Sequence, residues 1–178
     1  NDTCLVLANG LAGNAEIIEK GADYEAFCEA LNFVNTNLAK KMAGDGEGAT
    51  ALFETTVIHA ATKQEARILA KSVIGSSLCK AAIYGHDANF GRFLCALGYS
   101  GVNFDPEKVV LYFESKAGKM LIYKDGAATD YSEEEATKIL SEPEVTVLVD
   151  MNMGTETATA WGCDLTYDYV KINADYRS

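Results

Sequence analysis

The sequence predicts an α/β class (mixed α+β): a layered α/β sandwich portion followed by a smaller α+β C-terminal domain. Three observations predict it. Helical periodicities and β-type alternations interleave along both halves of the 178 residues. No glycine fingerprint of the dinucleotide-binding kind follows the first apolar run. A composition of 48% hydrophobic and 23% charged residues with only two prolines lets the chain bury roughly 70% of its unfolded surface, which excludes disorder.

In chain order, Thr3 to Ala8 is an apolar run closed by Asn9-Gly10, expected as a buried strand ended by a turn. Asp23 can cap a helix in which Phe27, Leu31, Val34 and Leu38 form a stripe on one face. Gly44-Asp45-Gly46-Glu47-Gly48 breaks that helix, and Thr50 to His59 then alternates as a half-buried strand. Thr62-Lys63-Gln64-Glu65 is a capping box opening a helix through Ala66, Leu69, Ala70 and Val73. Residues 78 to 84 predict another strand. Asp87-Ala88-Asn89 starts a helix through Phe90, Phe93, Leu94 and Leu97, stopped by Gly98.

Beyond Pro106, Val109 to Glu114 and Lys119 to Tyr123 alternate across Lys116-Ala117-Gly118, a hairpin signal. Ser132-Glu133-Glu134-Glu135 opens a helix toward Leu140, and Val145, Val147, Val149 and Met151 predict a strand with one apolar face. Thr155 to Trp161 is expected as its neighbour, and Leu165 to Tyr176 as a helix capped by Asp164. A division near residue 60 gives two domains, 1–60 and 61–178. No Pro-rich or Ser-rich linker marks it, so the parts are expected to pack closely.

Fifteen basic against 26 acidic residues give a formal net charge of −11, which repels phosphate backbones and anionic lipid. Nucleic acid and membrane are therefore excluded as natural partners, and no apolar run approaches the roughly 20 residues that span a bilayer. The opening Asn1-Asp2-Thr3 carries neither an initiating methionine nor a secretory leader, so an interior fragment is expected. Five cysteines at 4, 28, 79, 95 and 163 contain no closely spaced pair, which disfavours disulfides and zinc. Their apolar neighbours suit small buried thiols in a reducing compartment, with the cytoplasm as the expected location.

The stretch Gly44-Asp45-Gly46-Glu47-Gly48-Ala49-Thr50 lacks the Lys-Ser/Thr ending of a phosphate loop and carries two carboxylates where phosphate would sit, so nucleotide binding is rejected. A calcium loop fails for want of a correctly spaced Glu. Two readings remain. One is a turn carrying a solvated Glu47, the plainer of the two because acids usually stay exposed. The other is a site loop whose glycines expose Glu47 to an ammonium group. His59 and His86 have no triad or metal spacing and read as structural. Asn89-Phe90-Gly91-Arg92 suits a helix cap before an anion site, Trp161 suits core before pocket, and Tyr167, Tyr169 and Tyr176 suit packing before base stacking. The tail from Asp164 to Ser178 stays patterned to its end, either as a docked helix or as a terminus presenting polar groups.

Five ordered stretches together resemble one family, the ornithine acetyltransferases of arginine biosynthesis. They are Asn1-Asp2-Thr3 with Leu5-Val6-Leu7-Ala8-Asn9-Gly10, Asp45-Gly46-Glu47-Gly48-Ala49-Thr50, Gly85-His86-Asp87-Ala88-Asn89-Phe90-Gly91-Arg92, Gly98-Tyr99-Ser100-Gly101, and Ala160-Trp161-Gly162-Cys163-Asp164 running on to Tyr176-Arg177. The family usually has Pro-Asn-Trp where Ala88-Asn89-Phe90 stands, and commonly ends in Thr where Ser178 stands. The resemblance implies acetyl transfer from N-acetylornithine to glutamate through an acetyl-threonine. The threonine would be freed by self-cleavage of a precursor into α and β chains. Block matching places it upstream of Asn1, so this chain resembles the later part of a β chain that needs its α-chain partner and is inactive alone. Glu47, Asn173 and Ser178 correspond to substrate-binding positions. No metal or redox cofactor is implied, and acetyl-CoA is a conceivable co-substrate. Two alternatives stand beside this reading: a related self-processing N-terminal-nucleophile aminopeptidase, and a non-catalytic structural fragment.

Overall fold

The computed structural model describes residues 3–176. Its contacts divide the chain into two compact units, one ending at Met42 and one beginning at Ala43. The expected division near residue 60 therefore differs from the contact boundary. The strand over residues 52–60 lies inside the second unit, where its hydrogen-bonding partners are.

Residues 3–21 form no regular element, contrary to the strand expected over Thr3 to Ala8. A strand needs a neighbour to pair its backbone, and none of the described residues offers one there. Leu5, Val6 and Leu7 stand exposed instead. Helix α1, Ala22–Gly44, matches the stripe expected from Phe27, Leu31, Val34 and Leu38, but none of its residues is buried.

The second unit holds a six-stranded mixed sheet. Its elements in order are β1 (Leu52–Ala60), α2 (Lys63–Ile74), α3 (Ser77–Tyr84), α4 (Phe90–Gly98), a 3-10 turn at Pro106–Lys108, β2 (Val110–Ser115), β3 (Gly118–Lys124), β4 (Ala127–Ala128), α5 (Glu133–Leu140), β5 (Glu144–Asp150), β6 (Glu156–Cys163) and α6 (Tyr167–Asp175). Strand order is β4-β3-β2-β5-β1-β6, with β1 and β5 parallel and the other pairs antiparallel. The mixed α+β class and the β2–β3 hairpin are as the sequence predicts.

Alternation explains the core. Phe53, Thr55 and Val57 of β1, Val145, Val147 and Val149 of β5, and Leu111 and Phe113 of β2 are buried on one face. Against them lie Leu69 and Val73 of α2, Phe93 and Leu97 of α4, and Ile139 and Leu140 of α5. Phe93 sits edge-on between Phe53 and Phe113, with centroid distances of 6.2 and 5.1 Å.

Four local expectations need correction. Residues 78 to 84 are helix, because Ser76 accepts from Cys79 N (3.3 Å) and Cys79, Ala82 and Ile83 recur at helical spacing on the buried side. β6 pairs with β1 and not with β5. The chain leaving β5 crosses the end of β1, with Met151 N donating to Ile58 O and both Met153 N and Gly154 N donating to His59 O. A Cβ on Gly154 would stand 2.6 Å from Ala60 O, so the crossing is close enough to require glycine. Third, α6 is capped by Thr166, two residues beyond Asp164. Last, of the five thiols only Cys79 is buried, while Cys4 and Cys95 are exposed and Cys28 and Cys163 are intermediate. Burial pushes the Cys79 thiol up to about 11.

Candidate functional site

The loop between α1 and β1 carries Glu47. Ala49 N donates to Gly46 O (2.9 Å), closing a turn, and Gly48 adopts φ +68°, a conformation natural to glycine. Both glycines also make room. A Cβ on Gly46 would meet Cys163 Sγ at 2.6 Å, and one on Gly48 would meet the Asp168 Cβ at 2.8 Å. The loop backbone thus lies directly against the segment from the end of β6 to the start of α6.

Hydrogen bonds fasten that contact. Asp164, 3% exposed, accepts from Thr50 N (2.9 Å) and Ala51 N (3.2 Å) on Oδ1 and from Thr50 Oγ1 (2.5 Å) on Oδ2. Its own N–H donates to Ala51 O at 3.2 Å. Thr166 Oγ1 donates to Gly48 O (2.8 Å) and accepts from Tyr169 N (3.0 Å), so one hydroxyl both caps α6 and holds the loop. Lys80 Nζ lies 3.9 Å from Cys163 Sγ beneath the same loop.

One turn along, α6 delivers Asn173 to Glu47. Asn173 Nδ2 donates to Glu47 Oε2 at 2.8 Å and to Tyr169 O at 2.9 Å, across 126 residues of sequence in the first case. Two acceptors flank this nitrogen, which assigns the amide orientation. Both amide hydrogens are used in these two bonds, which leaves Glu47 Oε1 and Asn173 Oδ1 as acceptors. Such a surface suits a group rich in N–H donors, an ammonium above all. Glu47 and Asn173 are both exposed, so they form an open wall and not a closed cavity. Ser178 lies outside the described residues.

The other singled-out residues stand elsewhere. Asn89 caps α4, accepting from Arg92 N at 3.4 Å, as the capping reading expects, and the Arg92 guanidinium is occupied by Leu78 O at 3.2 Å and Asp87 at 4.0 Å. His59 Nδ1 is 2.9 Å from Asp150 Oδ1 at the end of β1, a pairing that sequence spacing did not suggest. Trp161 is half-buried rather than core, with its indole N–H donating to Glu54 Oε2 at 2.6 Å. Tyr167, Tyr169 and Tyr176 are exposed, against the packing reading, although Tyr167 meets Tyr84 edge-on at 5.6 Å. A cavity of about 590 Å³ lined by residues including Glu114, Lys116, Glu142 and Thr146 contains none of the Glu47 cluster. Among the described residues no three His, Cys, Asp or Glu side chains are placed to hold a metal ion. No helix there is long and apolar enough to cross a membrane.

The structure brings together Glu47 and Asn173, which the resemblance had named, and adds Asp164 and Thr166, whose bonds to the loop the sequence did not suggest. The one available signal was the pair of capping residue types two apart in Asp164-Leu165-Thr166, of which only one can cap α6.

The chain is 48% identical over all its 178 residues to the arginine biosynthesis bifunctional protein ArgJ of Caldanaerobacter subterraneus subsp. tengcongensis, covering 44% of that protein. To the protein of the same description from Symbiobacterium thermophilum it is 52% identical over 178 residues, covering 43% of it. It thus spans less than half the length of these curated relatives. The crystal structure of the arginine biosynthesis bifunctional protein argJ from Bacillus halodurans matches with a TM-score of 0.90 at 45% identity, over 97% of this chain and 79% of that one. The ArgJ family model matches residues 1–178, so the loop that carries Glu47 and the helix that meets it both lie within the match, and the chain belongs to the ArgJ family.

Proposed function

We propose that this chain is the headgroup-binding portion of an ornithine acetyltransferase. The complete enzyme moves acetyl from N-acetylornithine to glutamate in two half-reactions, through an acetyl-threonine whose hydroxyl lies on chain not present here. An amino-terminal threonine can attack because its own amine accepts the proton. Oxyanion donors for the tetrahedral intermediate come from the α chain, in an assembly of α and β chains. What this chain contributes is orientation. Glu47 accepts from the substrate ammonium, Asn173 braces that carboxylate and offers its Oδ1, and Ser178 completes the polar end. Charge-assisted bonds of this kind are worth about 1.5–3 kcal/mol each, enough to align an amino acid but not to drive acyl chemistry.

The observation that supports this reading is the bond between Asn173 and Glu47, which joins two residues that block matching had singled out independently. No metal or redox group enters. Acetyl-CoA is part of the same proposal as a second acetyl donor, and biosynthesis of this kind is expected in the cytoplasm. In the complete enzyme, Glu47→Gln is expected to raise KM for N-acetylornithine by about tenfold or more, leaving self-cleavage and thermal stability nearly unchanged. Unchanged kinetics would refute the assignment. Product analysis with and without glutamate separates acetyl transfer from hydrolysis, the outcome an aminopeptidase relative would give.

A further inference from the structure

We infer that Asp164 is a positioning residue for amino-acid binding: its buried carboxylate sets where Glu47 stands against Asn173. The inference rests on the headgroup reading of Glu47 and adds to it a residue that never touches substrate.

Three features carry it. First, the carboxylate is 3% exposed and is compensated entirely by donors from residues 50 and 51, three and four positions beyond Glu47. Burying a charge is unfavourable unless hydrogen bonds replace its water, and here every such donor comes from the base of the Glu47 loop. Second, helix capping does not explain Asp164, because Thr166 performs that task. Third, the same short segment grips the loop at two levels. Asp164 holds Thr50 and Ala51, Thr166 holds Gly48 O, and α6 continues directly to Asn173. Loop and helix are therefore registered by one structural unit, and displacement at Asp164 moves Glu47 relative to Asn173. Misplacing Glu47 weakens a charge-assisted bond to the bound headgroup, a loss of about tenfold or more in binding and not in the chemical step.

The test is a double-mutant cycle in the complete acetyltransferase, with KM and kcat measured for N-acetylornithine. Asp164→Ala alone should raise KM about tenfold or more while kcat changes less than about threefold. In a Glu47→Ala background the same substitution should change KM by less than about twofold, since the group through which it acts is gone. Asp164→Asn can keep Oδ1 on both backbone N–H groups and donate to Thr50 Oγ1 in reversed sense, so it should restore KM to within about threefold. Should Asp164→Ala not yield soluble enzyme, Thr50→Val removes only the hydroxyl bond. It should raise KM about threefold, again only where Glu47 is present. Independent, multiplicative effects of the two sites on KM would overturn the positioning role and leave the headgroup reading intact. A Glu47→Ala enzyme with normal KM would overturn both.

Discussion

Thr55 places a hydroxyl in the middle of the core. It is fully buried on β1 between Phe53 and Val57, and its Oγ1 has no hydrogen-bond partner among the described residues. An unpaired buried hydroxyl costs about 1–3 kcal/mol relative to a paired one, whereas an apolar group of similar shape carries no such penalty. Thr55→Val should therefore leave stability unchanged or raise it by about 1 kcal/mol, read as a shift in the urea midpoint at constant slope. A loss above about 1 kcal/mol would show that the hydroxyl is satisfied. Single residues were unevenly legible. Glu47 could be read as exposed and available because glycines flank it and acids rarely bury. Asp164 could not, because the partners that make its burial tolerable are more than a hundred positions away. His59 shows the same limit, since Asp150 reaches it only through the parallel pairing of β1 and β5.

Among the elements, those with their own start and stop chemistry were readable: α2 behind Thr62, α4 behind Asn89 and α5 behind Ser132 all begin with the side-chain caps their sequences contain. α3 was not, because a seven-residue run in which all but Lys80 are small or apolar fits either a buried strand or a helix until the Ser76 cap is noticed. α6 is the element on which the site turns, and its attachment is thin. No residue of the helix itself is buried, so Thr166 supplies both its cap and its bond to Gly48 O. Losing a cap costs about 1 kcal/mol and losing a neutral hydrogen bond about 1 kcal/mol more. Thr166→Ala should thus destabilise α6 by about 2 kcal/mol, seen as faster amide hydrogen exchange confined to residues 167–175, while β1 and β5 keep their protection. Thr166→Ser, which retains the hydroxyl, should exchange like the parent. Uniform acceleration across the sheet would mean that the cap supports the whole unit and not the helix alone.

For the molecule as a whole, sheet order was the least legible feature. Nothing local announces that β6 pairs with β1, since the decisive event is the crossing of residues 151–154 over the end of β1. The division of labour between the two units is sharper and leads to a prediction. From Ala43 onward Phe53, Phe93 and Phe113 are fully buried, whereas before it Leu7, Leu11 and Phe33 are exposed by 92%, 84% and 70% and residues 3–21 have no regular structure. Large apolar groups left in water do not hold a segment in one conformation, because ordering the backbone costs about 1–2 kcal/mol per residue and only burial repays it. Brief chymotrypsin digestion of this chain alone should therefore cut after Leu7, Leu11, Phe27 or Phe33, and after Tyr176 at the other end, leaving a resistant core that retains β1 to β6. In the full-length protein the same leucines and phenylalanines are expected to resist, since the relatives are more than twice as long as this chain. First cuts at Phe53, Phe93 or Phe113 in the isolated chain would show that the sheet does not hold together without the remainder. Equal cutting at Leu7 and Phe33 in the full-length protein would show that the rest of the chain does not cover these side chains.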